Sequence, residues 1–284
     1  TLPDDIVAGP GDDAALVRIG ATLQAQTVDH LTAVWDDPWL FARIAAIHAL
    51  GDLWSMGARP RTALLQVTLP EMTAALQTRW LTEIMEAATD ILTESGAAIV
   101  GGHTTQGAAF SLGLALTGTV EGAPLTLKGA RPGDALILTR PLGSGTLFAA
   151  EMAGKARGPD IAEMLATLAT SQADAAARLA PHAHAMTDVT GFGLAGHAAR
   201  MARASGVSIK IDLDEVPLFP GAEALAADGI RSSLWAANQS AVKGTVSSET
   251  RGALLFDPQT AGGFLAALDP DVAADLTAQL QDLG

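Results

Sequence analysis

Between Pro38 and Met56 the chain is apolar on every helical face, and the only formal charges in that span are Arg43 and Asp52. Leu40, Ile44 and Ile47 form one helical stripe, while Phe41, Ala45, His48 and Asp52 form its neighbour. A helix apolar all round must be covered on all sides, which demands a layered fold with this helix inside it. Pro38 suits the first turn, and Gly57 and Pro60 close the segment. Asp52 is then the anomaly. A buried carboxylate must be paired, protonated or bound to a metal, because leaving it bare costs several kcal/mol. Arg43 is nine residues away, about two and a half turns, so it is no intrahelical partner. An arginine from elsewhere and a functional role both remain open at this stage.

The flanking pattern is alternately strand-like and helical. Ala14 to Ile19 and Ala21 to Val28, separated by Gly20, read as a hairpin. Residues 61–69 read as a strand, 72–95 as a helix ended by Gly96, 97–100 as a short strand running into Gly101-Gly102-His103, and 110–120 as another strand. Residues 121–134 are rich in Gly and Pro and suit a domain boundary. Beyond it we expect a strand over 135–138, helices over 146–152, 160–179 and 194–204, and a strand over 207–211. A short helix over 222–227, a strand over 253–256 and a helix over 272–283 complete the pattern. The expectation is an α/β (α+β) protein of two domains, 1–125 and 126–284, which fits a length of 284 residues.

Composition narrows the chemistry. The chain has 17 Lys and Arg against 31 Asp and Glu, a net charge of −14, which argues against nucleic-acid partners and anionic membranes. It has no cysteine, so disulfides, thiolate metal sites and a cysteine nucleophile are excluded within these residues. No apolar stretch is long enough to cross a bilayer, and the N-terminus lacks a secretion-signal profile, so a cytoplasmic location is the expectation. The first residue is not methionine and the last helix ends close to the C-terminus, which suggests trimming at either end.

Four loops could carry chemistry. Gly9-Pro10-Gly11-Asp12-Asp13 is, taken alone, an Asx-type turn, but its backbone N–H groups could face an anion while a carboxylate holds a cation. Asp29, taken alone, reads as a helix or turn cap at the end of a strand. Gly101-Gly102 allows close backbone approach to a ligand, although a plain turn explains it as well. In Thr187-Asp188-Val189-Thr190-Gly191-Phe192-Gly193 an Asp enters a Gly-x-Gly turn that opens a helix, which suits a phosphate-bound metal. Gly191, Gly193 and Gly196 spell G-x-G-x-x-G, but with no convincing strand ahead of them a dinucleotide fold is rejected. The Asp257 to Gly263 loop reads as a connection. Asp13, Asp29, Asp52 and Asp188 together suit Mg²⁺, which takes oxygen ligands shared with phosphates. The six histidines lack metalloprotease spacing, and His182 and His184 read as surface.

Four segments in order, TVDHLTAVWDDPWLFARIAAIHALGDLWSMGARP, GGHTT, TDVTGFGLAGH and DPQTAGG, resemble the selenophosphate synthetases (selenide, water dikinases). That family sits in the aminoimidazole ribonucleotide synthetase-like ATP-binding superfamily. The resemblance implies a homodimer of two α/β domains per chain: an N-terminal mixed sheet whose helices form a dimer-facing ATP site, and a C-terminal α/β sandwich. It implies that Asp13, Asp52 and Asp188 bind Mg²⁺. It implies further that Asp29 and Asp52 contact ATP, while Pro10, Gly11, Asp12, Gly101, Gly102 and His103 line the nucleotide site. The implied reaction converts ATP, selenide and water to selenophosphate, AMP and phosphate; relatives that give ADP, and a non-catalytic nucleotide-binding dimer, are the alternatives.

Two departures stand out. The family's glycine-rich segment with a Cys or selenocysteine and a following Lys is absent here, so an upstream oxidoreductase module in the same polypeptide is one expectation and loss of turnover another. His48 stands where Asn is usual, and Arg140 where Lys is common.

Overall fold

The computed structural model describes residues 3–243 and 250–282. The fold is mixed α/β, and the chain divides into two compact units. One runs to Pro124 and includes Ser171–Ala173; the other comprises Leu125–Thr170 and the residues from Asp174 onward.

The first unit is a six-stranded sheet backed by two helices. Its strands are β1 (Ile6–Ala8), β2 (Ala15–Ile19), β3 (Thr22–Thr32), β4 (Ala58–Leu69), β5 (Ala98–Gln106) and β6 (Ser111–Val120), in the order β1-β2-β3-β6-β4-β5. Every neighbouring pair is antiparallel except β4 with β5. The helices are α1 (Pro38–Ser55) and α2 (Ala74–Glu94). Asp37 caps α1 by accepting from the Leu40 N–H at 2.8 Å, with Pro38 in the first turn. Phe41, Ala42, Ile44, Ala45, Ile47, Leu50, Leu53 and Trp54 are all buried, so α1 is covered on every side, by the sheet and by α2. At about 2 kcal/mol for each large side chain, this helix is the main hydrophobic anchor of the unit. Phe110 closes one end, edge-to-face with Phe41 at 5.0 Å and with Trp80 at 5.3 Å.

Among the described residues of this unit, no helix packs on the other face of the sheet. Register places Val28, Ala115, Leu64 and Gly101 in one row across β3, β6, β4 and β5. Val28 is 70% exposed and Leu64 49%. Two expectations change here. The strand at 97–100 continues through Gly101, Gly102 and His103, so these three lie within β5 and not in a turn. Asp29 lies inside β3, opposite Leu114, and caps nothing.

The second unit holds a three-stranded antiparallel sheet, order β7-β9-β8, from β7 (Ala135–Leu138), β8 (Ala185–Asp188) and β9 (Phe264–Leu268). Around it run α3 (Ser144–Met152), α4 (Gly158–Leu168), α5 (Ala173–Leu179), α6 (Gly193–Ser205), α7 (Ala222–Ala227), α8 (Trp235–Ala241), α9 (Thr250–Leu254) and α10 (Pro270–Gln281). Leu142, Val189, Leu194, Met201, Phe256 and Leu265 belong to its core.

Several expectations fail in this unit. The helix over 160–179 is two helices, interrupted at 169–172. Residues 207–211 form no regular element; Val207, Ile209 and Ile211 pack on the core but join no ladder, so the alternation marks an amphipathic segment and not a strand. Residues 253–256 close α9, with the Leu255 and Phe256 N–H groups bonded three residues back at 3.3 and 3.2 Å. Strands β8 and β9 take their place. His184 is half-buried against Asp134 at 3.0 Å and is not a surface residue. The C-terminal helix begins at Pro270, and position 283 lies outside the described residues. No helix among the described residues is long and apolar enough to cross a membrane.

Candidate functional site

In the first unit α1 places Asp52, in its last turn, against β3. The Thr27 hydroxyl, from β3, donates to Asp52 Oδ2. Ser55, fully buried one turn further on, donates to Asp13 Oδ2 at 2.8 Å and lies 3.0 Å from the Asp52 carbonyl oxygen. Two hydroxyls thus tie Asp13 and Asp52 to fixed elements, with a carboxylate oxygen of each within 4.8 Å of the other. Two half-buried carboxylates this close repel one another, and an all-oxygen set of this kind fits a hard divalent cation. Asp13 follows directly on the Pro10-Gly11-Asp12 turn, where Gly11 has φ 139°, a conformation that glycine supplies.

Asp29 points to the same helix, its Oδ2 3.7 Å from His48 Nε2. Burial holds the His48 imidazole below its usual value, against the pull of Asp29, so it presents a neutral ring beside that carboxylate. Gly101, Gly102 and His103 sit elsewhere, exposed on edge strand β5. Gly102 shares a register row with Asp29 through Leu114 and Leu65, three strands apart; at strand spacing that is about 14 Å. Its side chain is excluded by contact, since a Cβ would lie 2.1 Å from the Leu65 carbonyl oxygen.

In the second unit Asp188 ends β8 and is 2% exposed. A strand therefore does lead into the glycine turn, contrary to the sequence reading. The turn still belongs to no dinucleotide fold, because β8 pairs antiparallel with β9 and, among the described residues, takes part in no parallel β-α-β unit. The loop from Asp257 to Gly263 is a structural partner of this turn and not a plain connection. Val189 N–H donates to the Gly263 carbonyl at 2.8 Å, and Gln259 N–H to the Thr190 carbonyl at 3.0 Å. Gln259 Oε1 in turn accepts from the Gly143 and Ser144 N–H groups at 3.0 and 3.2 Å, closing the start of α3. The buried Arg140 guanidinium, pushed down to about 9 by burial, donates to the carbonyls of Ala261 and Thr170.

Asp257 is fully buried, accepting from Thr146 at 2.8 Å and from Gln259 Nε2 at 3.0 Å. Burial outweighs these bonds and raises its carboxyl from 3.8 to about 6. As pH rises from 4 to 6 the unfolded chain gives up this proton before the folded one does. Asp257 therefore favours the folded state most below pH 4, and loses up to about 3 kcal/mol of that contribution by pH 6–7. Urea unfolding of the wild type and Asp257→Asn across pH 4–7 should show the wild type losing ground to the variant as pH rises. Parallel curves would contradict this.

Thr27, Ser55 and His197 carry no sequence signal of their own: Thr and Ser are common residue types, and the partners of Thr27 and Ser55 are remote in sequence.

Residues 11–122 match the AIR synthase related protein N-terminal domain, and residues 131–284 match the C-terminal domain of the same proteins. The chain is 42% identical, over 99% of its length and 84% of the relative's, to the selenide, water dikinase of Geobacter metallireducens. It is 37% identical to that of Bdellovibrio bacteriovorus, over 95% of this chain and 79% of the relative. Among solved structures, thiamine-monophosphate kinase from Stenotrophomonas maltophilia K279a has a TM-score of 0.72 at 23% identity, over 99% of this chain and 85% of that one. Hydrogenase maturation protein HypE in complex with ATP has a TM-score of 0.70 at 18% identity, over 96% and 77%. These two likenesses concern the fold alone. The identity and coverage of the first pair, together with the two domain matches, make this chain a member of the selenide, water dikinase family.

Proposed function

We propose that the chain binds Mg²⁺·ATP and serves selenophosphate synthesis, in which ATP, selenide and water give selenophosphate, AMP and phosphate. The observation that carries this reading is the Asp13 and Asp52 pair, fixed by Ser55 and Thr27 in a member of the selenide, water dikinase family. In this reading Asp13, Asp52 and Asp188 hold Mg²⁺. Asp29 and Asp52 contact the nucleotide, and Pro10, Gly11, Asp12, Gly101, Gly102 and His103 line its site.

The metal, when bound, neutralises phosphate charge that a protein of net charge −14 would otherwise repel. The protein's own contribution is positioning. Thr27 and Ser55 keep the two carboxylates in place before ligand arrives, so little reorganisation accompanies binding. The neutral His48 ring leaves Asp29 free to stay an acceptor toward ligand hydroxyls. No cysteine is present to handle selenium, so turnover by these 284 residues alone should be slow.

Phosphorus NMR of a mixture of chain, ATP, Mg²⁺ and selenide tests the reaction class. Any ATP consumed should appear as AMP, orthophosphate and selenophosphate. ADP as the end product would place the chain with small-molecule kinases instead.

The bare row of Val28, Ala115 and Leu64 supports a homodimer closed through this sheet face, since exposed apolar rows of this kind are normally covered. Light scattering should give twice 28.9 kDa for the wild type and 28.9 kDa for Leu64→Glu. A monomeric wild type would end the dimer reading.

A further inference from the structure

Nothing in the reaction scheme uses His197, yet it is among the most constrained polar side chains in the second unit. It is 2% exposed and projects from α6, just over one turn in. Its Nε2 accepts from the Thr190 N–H at 3.1 Å, and its Nδ1 lies 3.2 Å from the Thr187 hydroxyl. That hydroxyl lies 3.2 Å from the Asp188 carbonyl oxygen, to which it donates.

The donors settle the tautomer. A nitrogen that faces an N–H must offer a lone pair, so in the neutral ring the proton sits on Nδ1. Nδ1–H then donates to Thr187 Oγ, whose own single proton goes to the Asp188 carbonyl. The ring is rigid, so these two bonds hold residues 187 and 190 at a fixed separation with Asp188 between them. Phe192 covers the ring at 5.6 Å between centroids, and the Arg200 guanidinium lies 5.2 Å from the Phe192 ring.

We propose that His197 is a positioning residue for Asp188: it braces the main chain on both sides of that carboxylate and holds it ready for a divalent cation. This rests on the reading above that Asp188 is a metal ligand. Residues that orient a ligand from behind typically change metal affinity by about 10–100-fold when removed. A histidine that merely fills the core beside α6 would change stability and leave metal affinity alone.

The test is titration of the full chain with Mn²⁺ alone, free metal being read by electron paramagnetic resonance. The set comprises wild type, His197→Ala, Thr187→Val and Asp188→Asn, each checked for native circular dichroism. Asp188→Asn should weaken Mn²⁺ binding by about 100-fold or more, and His197→Ala by about tenfold. Thr187→Val, which keeps the side-chain shape and removes only the hydroxyl, should weaken it by about tenfold as well, since it breaks the same chain of bonds. Loss of affinity in Asp188→Asn with wild-type affinity in His197→Ala and Thr187→Val would overturn the positioning role and leave the metal reading standing. Wild-type affinity in Asp188→Asn would overturn the metal reading, and the positioning role with it. If His197→Ala does not fold, Thr187→Val decides. Carbon and nitrogen shifts of the His197 ring in the wild type give an independent readout, and an Nε2-protonated neutral ring would contradict the bracing geometry.

Discussion

Asp52→Asn should abolish Mg²⁺-dependent ATP binding and leave the protein folded, with unchanged or greater thermal stability. The two effects have one cause. Asp52 and Asp13 place carboxylate oxygens within 4.8 Å of each other. Two unit charges at about that distance repel by about 3 kcal/mol at an effective dielectric near 20, and solvent reaching these half-buried groups reduces this further. Removing one charge therefore favours the metal-free fold by about 1 kcal/mol. The asparagine carbonyl can still accept from Thr27, so the hydrogen bond that holds the side chain survives. The metal, in contrast, loses an anionic oxygen. Even partners behind a ligand cost about 10–100-fold in affinity, so a direct ligand should cost at least about 100-fold. Calorimetric titration and thermal unfolding of the same preparation check both halves. A variant that binds Mg²⁺·ATP normally would remove Asp52 from the site.

Gly262→Ala should be the most damaging single methyl group in the second unit. A Cβ at this position lies 1.8 Å from the Val189 carbonyl oxygen and 2.9 Å from Gln259 Cβ. The first obstacle is backbone and cannot rotate away, and Val189 is tied to the same loop by its N–H bond to Gly263 at 2.8 Å. Relief requires the 257–263 loop and the 187–193 turn to separate, which breaks that bond and exposes buried polar groups. The expected loss is about 4 kcal/mol or more. Gly158→Ala is the natural control, because nothing lies within 4 Å of its Cβ position; its effect should stay within about 0.5 kcal/mol. Urea unfolding of both variants measures the contrast. Equal midpoints would mean that the two loops are not locked together as described.

What could be read from the sequence was strongest where a pattern was long and one-sided. The apolar span after Pro38 could only be an interior helix, and it is; the Gly20 hairpin has the φ of 61° that only a residue like glycine supplies cheaply. The failures share a different physics. Residues 207–211 have strand periodicity, but a strand needs a hydrogen-bonded neighbour, and periodicity says nothing about neighbours. Phe264–Leu268 has no alternation because both faces are buried, and Ala185–Asp188 has little β-branching, so neither announced itself. Asp29 was misplaced because its strand runs four residues past the expected end. At the candidate site, Asp52 stood out as a charge in an apolar helix. Its link to Asp13 spans 39 positions and passes through Ser55, a residue type too common to notice. His197 was hidden for a different reason, since its partners Thr187 and Thr190 are near in sequence: a buried histidine declares its role only through what its two nitrogens face.

The most direct measurement is calorimetric titration of the wild-type chain with ATP, once with excess Mg²⁺ and once with the metal chelated. Saturable heat that appears only with Mg²⁺ is the expected result, because the carboxylates repel the phosphates until a cation stands between them. No heat with Mg²⁺ from a folded chain, or equal heat with and without it, would contradict a metal-dependent nucleotide site built on Asp13 and Asp52.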